Sequence, residues 1–195
     1  MTISHVGQPR GLLAEEARWY ALTVRSRFEK KAHSDLTSRD LESFLPLIEE
    51  VHIWSDRKKK VWEPLFRGYL FVRTNLRNKL SILQTDGVVR FVQLGTHPSP
   101  IPDNQIEWIR IFTGHPVSVR HEAYLSKGEK VRVTSGPFQG IEGVVVHSRG
   151  AMRMVISLDA IAKSVSVEIS PSMVARCSES VMPAQLLRGA APVQS

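Results

Sequence analysis

The sequence predicts an α+β chain in which an antiparallel sheet with flanking helices is followed by a small β-barrel. Three observations predict it. Extended and helical patterns alternate irregularly over the first half, in the order strand, helix, strand, strand, helix, strand, helix. Beyond about residue 127 the pattern becomes short alternating strands separated by glycine turns. Apolar residues are 42% and charged residues 23% of the 195, enough for a packed core and unlike a disordered chain.

Residues 1–17 are polar and punctuated by Gly and Pro, and are expected to form a loose leader. The first domain is expected over 18–114. Trp19-Tyr20-Ala21-Leu22-Thr23-Val24 is aromatic and β-branched, the composition of a strand. From Arg27 to about Leu41, Phe28, Ala32 and Leu36 recur every four residues with charge between them, which predicts an amphipathic helix. Phe44 to Ile48 reads as a short strand, with Pro46 marking an edge or bulge. Val51-His52-Ile53-Trp54 and Val61 to Glu63 flank Asp56-Arg57-Lys58-Lys59-Lys60, which predicts a hairpin with a basic tip.

Phe66 to Val72 is apolar around Gly68 and reads as a central strand. Leu76, Leu80 and Leu83 mark a short helix, and Val88 to Leu94 a further strand. Pro102-Asp103-Asn104 predicts a helix start capped by Asp103 or Asn104. Ile106, Ile109 and Phe112 supply its apolar face, and Gly114 and Pro116 its end. Residues 115–126 read as a linker. The barrel is expected over 127–176, from Lys130–Thr134, Gly143–His147, Met152–Leu158 and Ser164–Ile169. Residues 177–195, rich in Ala, Pro and Ser, are expected to be a disordered tail.

Lys plus Arg is 26 against 19 Asp plus Glu, a net charge of +7 that favours polyanionic neighbours such as nucleic acid. A single cysteine, Cys177, excludes an internal disulfide. The N-terminal residues carry Glu15 and Glu16 and no long apolar run, and no stretch approaches the ~18 apolar residues of a membrane span. A cytoplasmic protein is therefore expected.

Catalysis needs a constellation, and the sequence offers none. The seven histidines are scattered without metal-ligand spacing, and Cys177 has no neighbouring His. Gly136, Gly140 and Gly143 join strand to strand without a following helix or Gly-Lys-Ser/Thr, so they read as turn glycines rather than a phosphate loop. Glu49 and Glu50, adjacent on a strand, point to opposite faces and make no carboxylate pair. Neither an enzyme nor a cofactor is expected.

Several of these segments resemble the NusG family of transcription factors. The first half is similar at Trp19-Tyr20-Ala21-Leu22 with Val24-Arg25-Ser26, at Pro64-Leu65-Phe66-Arg67-Gly68-Tyr69-Leu70-Phe71-Val72, and at Gly87-Val88-Val89-Arg90-Phe91-Val92. The second half resembles the KOW motif: Lys127-Gly128-Glu129, Val131-Arg132-Val133, Gly136-Pro137-Phe138 and Gly140-Ile141-Glu142-Gly143. Arg67 stands where the family usually has proline. The long leader and basic balance look more like specialised RfaH- or UpxY-like paralogues.

The resemblance implies an SH3-like KOW barrel after a NusG-type N-terminal domain, in a monomeric elongation factor that modulates pausing, termination or antitermination. It implies contact with the clamp helices of RNA polymerase through Tyr69, Phe71, Phe91 and Thr23. It implies upstream or non-template DNA as a neighbour of Arg57, Lys58, Lys59 and Lys60, with Arg25 added to that face. It implies recruitment of termination factor Rho or a small-subunit ribosomal protein through Phe138 and Ile141. A ribosome-associated RNA-binding KOW protein is the rival reading, disfavoured because the basic cluster lies in the first half. Alternating Val and Ser over 164–168 predicts a β-type KOW module that does not refold into a helical hairpin. Far-UV circular dichroism of residues 120–180 alone reads predominantly helix if that is wrong.

Overall fold

The computed structural model describes residues 16–53, 58–115, 119–122, 128–148 and 151–177. The aromatic and β-branched run near the start forms β1 (Arg18–Val24). A turn with Arg27 at φ 67° leads into α1 (Glu29–Thr37). Ala32 and Leu36 are fully buried and Phe28 partly so, as the four-residue spacing predicts; the helix is shorter than the expected span to Leu41. Next come β2 (Glu42–Phe44) and the hairpin strands β3 (Leu47–Ile53) and β4 (Lys58–Pro64). After them lie β5 (Tyr69–Thr74) and a single 3-10 turn running into α2 (Lys79–Leu83). The domain continues with β6 (Val88–Phe91), a two-residue ribbon of β7 (Gln93–Leu94) and β8 (His97–Pro98), and β9 (Pro100–Ile101). It ends with α3 (Asp103–Gly114). The residue at the N-cap of α3 is Pro102 and no side chain caps it; Asp103 instead stands in the first turn, where its charge complements the helix dipole.

Strands β2, β5, β1 and β6 form an antiparallel sheet in that order, with β9 also paired to β1. Alternation along β1 and β5 sends Tyr20, Leu22, Leu70 and Val72 to one face, where Ala32, Leu36 and Ile82 of the two shorter helices cover them. Trp19, Ala21 and Phe71 go to the other face, against Ile106, Ile109 and Phe112 of α3. Both faces are dry, so the middle strands are apolar almost throughout. Arg110 lies over the rings of Trp19 and Phe44 at 5.3 and 5.1 Å and reaches Glu42, tying α3 to the sheet.

The junction after Phe66 is pinned by a buried acid. Glu29 in the first turn of α1 accepts the Gly68 N–H at 2.8 Å, and the Gly68 carbonyl accepts the Val24 N–H at 2.8 Å. Gly68 sits at φ 80°, where a side chain is strained, which explains a glycine between Arg67 and Tyr69.

The second half is all β among the described residues, apart from two single 3-10 turns. It contains β10 (Arg120–Glu122), β11 (Glu129–Val133), β12 (Glu142–Ser148), β13 (Ala151–Leu158), β14 (Lys163–Glu168) and β15 (Val174–Arg176). They make one antiparallel sheet in the order β10-β14-β13-β12-β11-β15. No pairing joins β10 to β15 among the described residues, so the expected closed barrel is an open sheet path here. β10 also lies inside the stretch 115–126 that read as a linker; three residues bounded by irregular sequence carry too little periodicity to announce a strand. A buried Arg153 on β13 donates from Nε to Ser166 Oγ at 2.8 Å and from a terminal nitrogen to the Ser166 carbonyl at 3.0 Å. The core of this half is continuous with the α3 face of the first sheet.

Candidate functional site

Register decides which of the expected contact residues reach a surface. Thr23 pairs with Tyr69 on β5 and with Arg90 on β6, and paired residues share a face. Tyr69, Thr23 and Arg90 therefore form a row across three strands. Tyr69 and Thr23 are half-buried and Arg90 is exposed. Arg90 was not singled out in the sequence, because only the pairing of β6 with β1 brings it beside Thr23.

Phe71 and Phe91 do not join this row. Phe71 is wholly buried, edge-on to Phe66 at 5.9 Å and beside Phe44 at 6.2 Å. Phe91 faces the opposite side of the sheet, edge-on to Tyr20 at 5.9 Å. Both are core rings, where each contributes roughly 1.5–3 kcal/mol of apolar burial. The expectation of exposed anchors fails for them because this sheet is covered on both faces. Tyr69 and Phe71 do share a strand face, but Phe71 is wholly buried among Phe44 and Phe66 while Tyr69 is half-buried at the edge of the same core.

Arg25, expected on a nucleic-acid face, is held elsewhere. It forms an ion pair with Asp86, and its guanidinium lies 4.2 Å from the centre of the Phe28 ring. Lys31 donates to the other Asp86 oxygen at 2.6 Å. That hydrogen bond, then the charges of Lys31 and Arg25 and the Gly87 N–H, hold the Asp86 carboxyl below its ordinary range. Gly87 is at φ 89°, and a Cβ there would meet the Phe28 side chain at 2.6 Å. The cluster locks the turn after β1 against the turn before β6.

The basic hairpin has two unlike faces. Its register pairs Val51 with Lys60, Ile53 with Lys58 and Glu49 with Trp62, so these six residues share one face. Lys59, Val61 and Glu63 lie on the other with Ile48 and Glu50. The expected basic tip is therefore divided: Lys58 and Lys60 look one way and Lys59 the other, while Arg57 lies outside the described residues. On the first face Val51 is 55%, Ile53 78% and Trp62 55% exposed. Lys60 reaches Glu49 at 3.1 Å, and Lys30 of α1 donates to the Trp62 carbonyl at 2.6 Å. On the second face Glu50 pairs with Arg67 at 3.1 Å.

Phe138 and Ile141, which the resemblance implies as partner contacts, are buried. The loop between β11 and β12 turns back on itself: Gly140 N–H donates to the Val133 carbonyl and Ile141 N–H to the Phe138 carbonyl. Gly136 and Gly140, at φ 83° and 86°, permit this path. Ile141 enters the core of the second sheet. Phe138 packs edge-on to Phe112 of α3 at 5.1 Å and against His115 at 5.6 Å. A ring following proline in a turn found its partner on α3, in the first half of the chain, which sequence spacing does not report.

Among the described residues no group of three or more His, Cys, Asp or Glu stands together to hold a metal ion. No helix among them is long and apolar enough to cross a membrane. What the described structure offers is contact surface: a sheet row at Tyr69, a two-faced basic hairpin and a covered aromatic loop.

Comparison with known proteins shows what the chain is similar to. Residues 17–110 match the family model described as "NusG: Transcription termination factor nusG". Proteins named transcription termination/antitermination protein NusG are similar along most of their length. The one from Pasteurella multocida is 28% identical, covering 78% of this chain and 92% of its own. The one from Thermus thermophilus is 26% identical, covering 72% and 89%. A solved structure described as "Domain interaction in Thermotoga maritima NusG" is 21% identical with a TM-score of 0.48, covering 85% of this chain and 99% of its own. Residues 17–110 thus match the NusG family of transcription factors, and these relatives extend the similarity over 72–78% of the chain.

Proposed function

We propose that this chain is an elongation factor that binds the clamp helices of RNA polymerase through the Tyr69–Thr23–Arg90 row and acts by binding, without chemistry of its own. The observation that carries the reading is that row: a half-buried tyrosine and an exposed arginine on a rigid sheet, both residue types enriched at interface anchors. Bound there, the domain holds the channel closed, and elongation is favoured because the factor binds the closed state. Pausing, termination or antitermination is then modulated. The basic hairpin lies toward DNA, with Lys58 and Lys60 facing phosphates.

In this reading the second half is an SH3-like KOW module that recruits Rho or a small-subunit ribosomal protein through the loop at Phe138 and Ile141. Because Phe138 packs on Phe112, recruitment requires that loop to leave α3. The basic balance favours a specialised, operon-directed paralogue.

Capture of RNA polymerase by the full chain tests the reading. Wild type retains the polymerase, and Tyr69→Ala with Arg90→Glu loses it. Failure of wild type to capture polymerase, or full capture by the double variant, refutes it. Transcription through a Rho-dependent terminator then gives the sign of the effect.

A further inference from the structure

We propose that the Trp62 face of the β3–β4 hairpin binds single-stranded nucleic acid, with Trp62 stacking on a base and Lys58 and Lys60 holding the phosphates that run from it along the strand. The inference rests on the proposed placement of this hairpin toward DNA, and it specifies strandedness and mode of contact. The face combines three exposed apolar side chains with two lysines. Apolar side chains this exposed on a protruding ribbon are unusual unless something covers them.

Charge names the occupant. Lys58, Lys60 and Trp62 alternate along one strand at about 6.8 Å intervals, so cation, cation and ring project the same way. Lys30 adds a further positive charge at the Trp62 backbone. The acid on this face, Glu49, is engaged by Lys60. The other face carries Lys59 with Ile48, Val61, Glu50 and Glu63, and Arg67 reaches it to pair with Glu50, so these charges balance. A polyanion is thus attracted to one side of the ribbon. A flat ring beside two lysines suits unpaired bases, because a duplex keeps its π-faces stacked internally and offers the ring only its edges and backbone. Val51 and Ile53 extend the apolar surface beneath the bases.

The test is fluorescence anisotropy of a labelled oligothymidylate, and of a duplex of equal length, with the full chain over a salt series. The single strand is expected to bind more tightly than the duplex. Trp62→Ala weakens it roughly 5- to 100-fold, the loss of one stacked base, and Trp62→Phe restores most of the affinity. Lys58→Ala with Lys60→Ala lowers the slope of log affinity against log salt by about 1.4. Unchanged binding by Trp62→Ala overturns the proposal, as does Trp62→Leu equalling wild type, which marks a merely apolar contact. Preference for the duplex also overturns it. Loss of polymerase capture by Trp62→Ala, with oligothymidylate binding intact, identifies the face as a protein contact and overturns it while leaving the Tyr69 row standing. Loss of capture only in the Tyr69/Arg90 variant leaves this proposal unaffected.

Discussion

Replacing Glu29 by alanine tests how the Tyr69 strand is held in place. The Glu29 side chain is about 95% buried and its Oε1 accepts the Gly68 N–H at 2.8 Å. Truncation leaves that N–H without its acceptor, which costs about 1–3 kcal/mol. It also removes one methylene from the interior, at about 0.8 kcal/mol. The sum is about 2–4 kcal/mol. For a chain of this length about 2–4 °C of melting temperature accompanies each kcal/mol, so a fall of roughly 5–15 °C is expected. Glu29→Gln keeps a carbonyl acceptor and loses only the charge assistance, about 1 kcal/mol. Urea unfolding followed by far-UV circular dichroism reads both variants, with the midpoint moving and the slope unchanged. Two results refute the reasoning: Glu29→Ala within about 0.5 kcal/mol of wild type, or Glu29→Gln as damaging as Glu29→Ala. The second outcome means charge rather than the acceptor holds the turn.

Other predictions follow from the same contacts. A double-mutant cycle on Phe112→Leu and Phe138→Leu should give a coupling of about 0.5–1.5 kcal/mol from the edge-on ring pair, and zero coupling means the two halves do not dock through it. The Asp86 carboxyl titrates below its ordinary 3.8, so its contribution to stability is complete above the unfolded value and is lost as the pH falls through the folded one. The difference in urea midpoint between wild type and Asp86→Asn should therefore shrink on acidification, and a constant difference contradicts this. Burial holds the His33 ring below its ordinary 6.5, so the folded state resists protonation longer than the unfolded chain. Its contribution is present above the unfolded value and is lost as the pH falls to the folded one; an NMR titration placing the ring at or above 6.5 contradicts the sign.

Much of the first half of the chain was legible in its periodicity. Phe28, Ala32 and Leu36 at four-residue spacing foretold α1 and its buried side, and Ile106, Ile109 and Phe112 did the same for α3. The basic hairpin was legible too, because period-two alternation on both sides of a charge run has few other solutions. These features depend on neighbours in sequence, and the backbone repeats of helix and strand convert them directly into faces.

What the chain by itself determined, then, was its elements, its change of character near residue 127, its basic charge and its resemblance to a family. The tertiary structure alone decided which rings are available. Phe71 and Phe91 look like Tyr69 in sequence, yet helices on both sides of the sheet bury them and leave Tyr69 at the rim. Phe138, implied as a partner contact, is buried where α3 supplies Phe112. Arg25 looked free until Asp86, sixty-one residues away, engaged it. Alternation alone puts Trp62 on the side of Lys60, but only the structure leaves that side open, with Trp62 55% exposed. Exposure is set by what packs above a residue, and that neighbour usually comes from a distant part of the chain, where local pattern carries no trace of it.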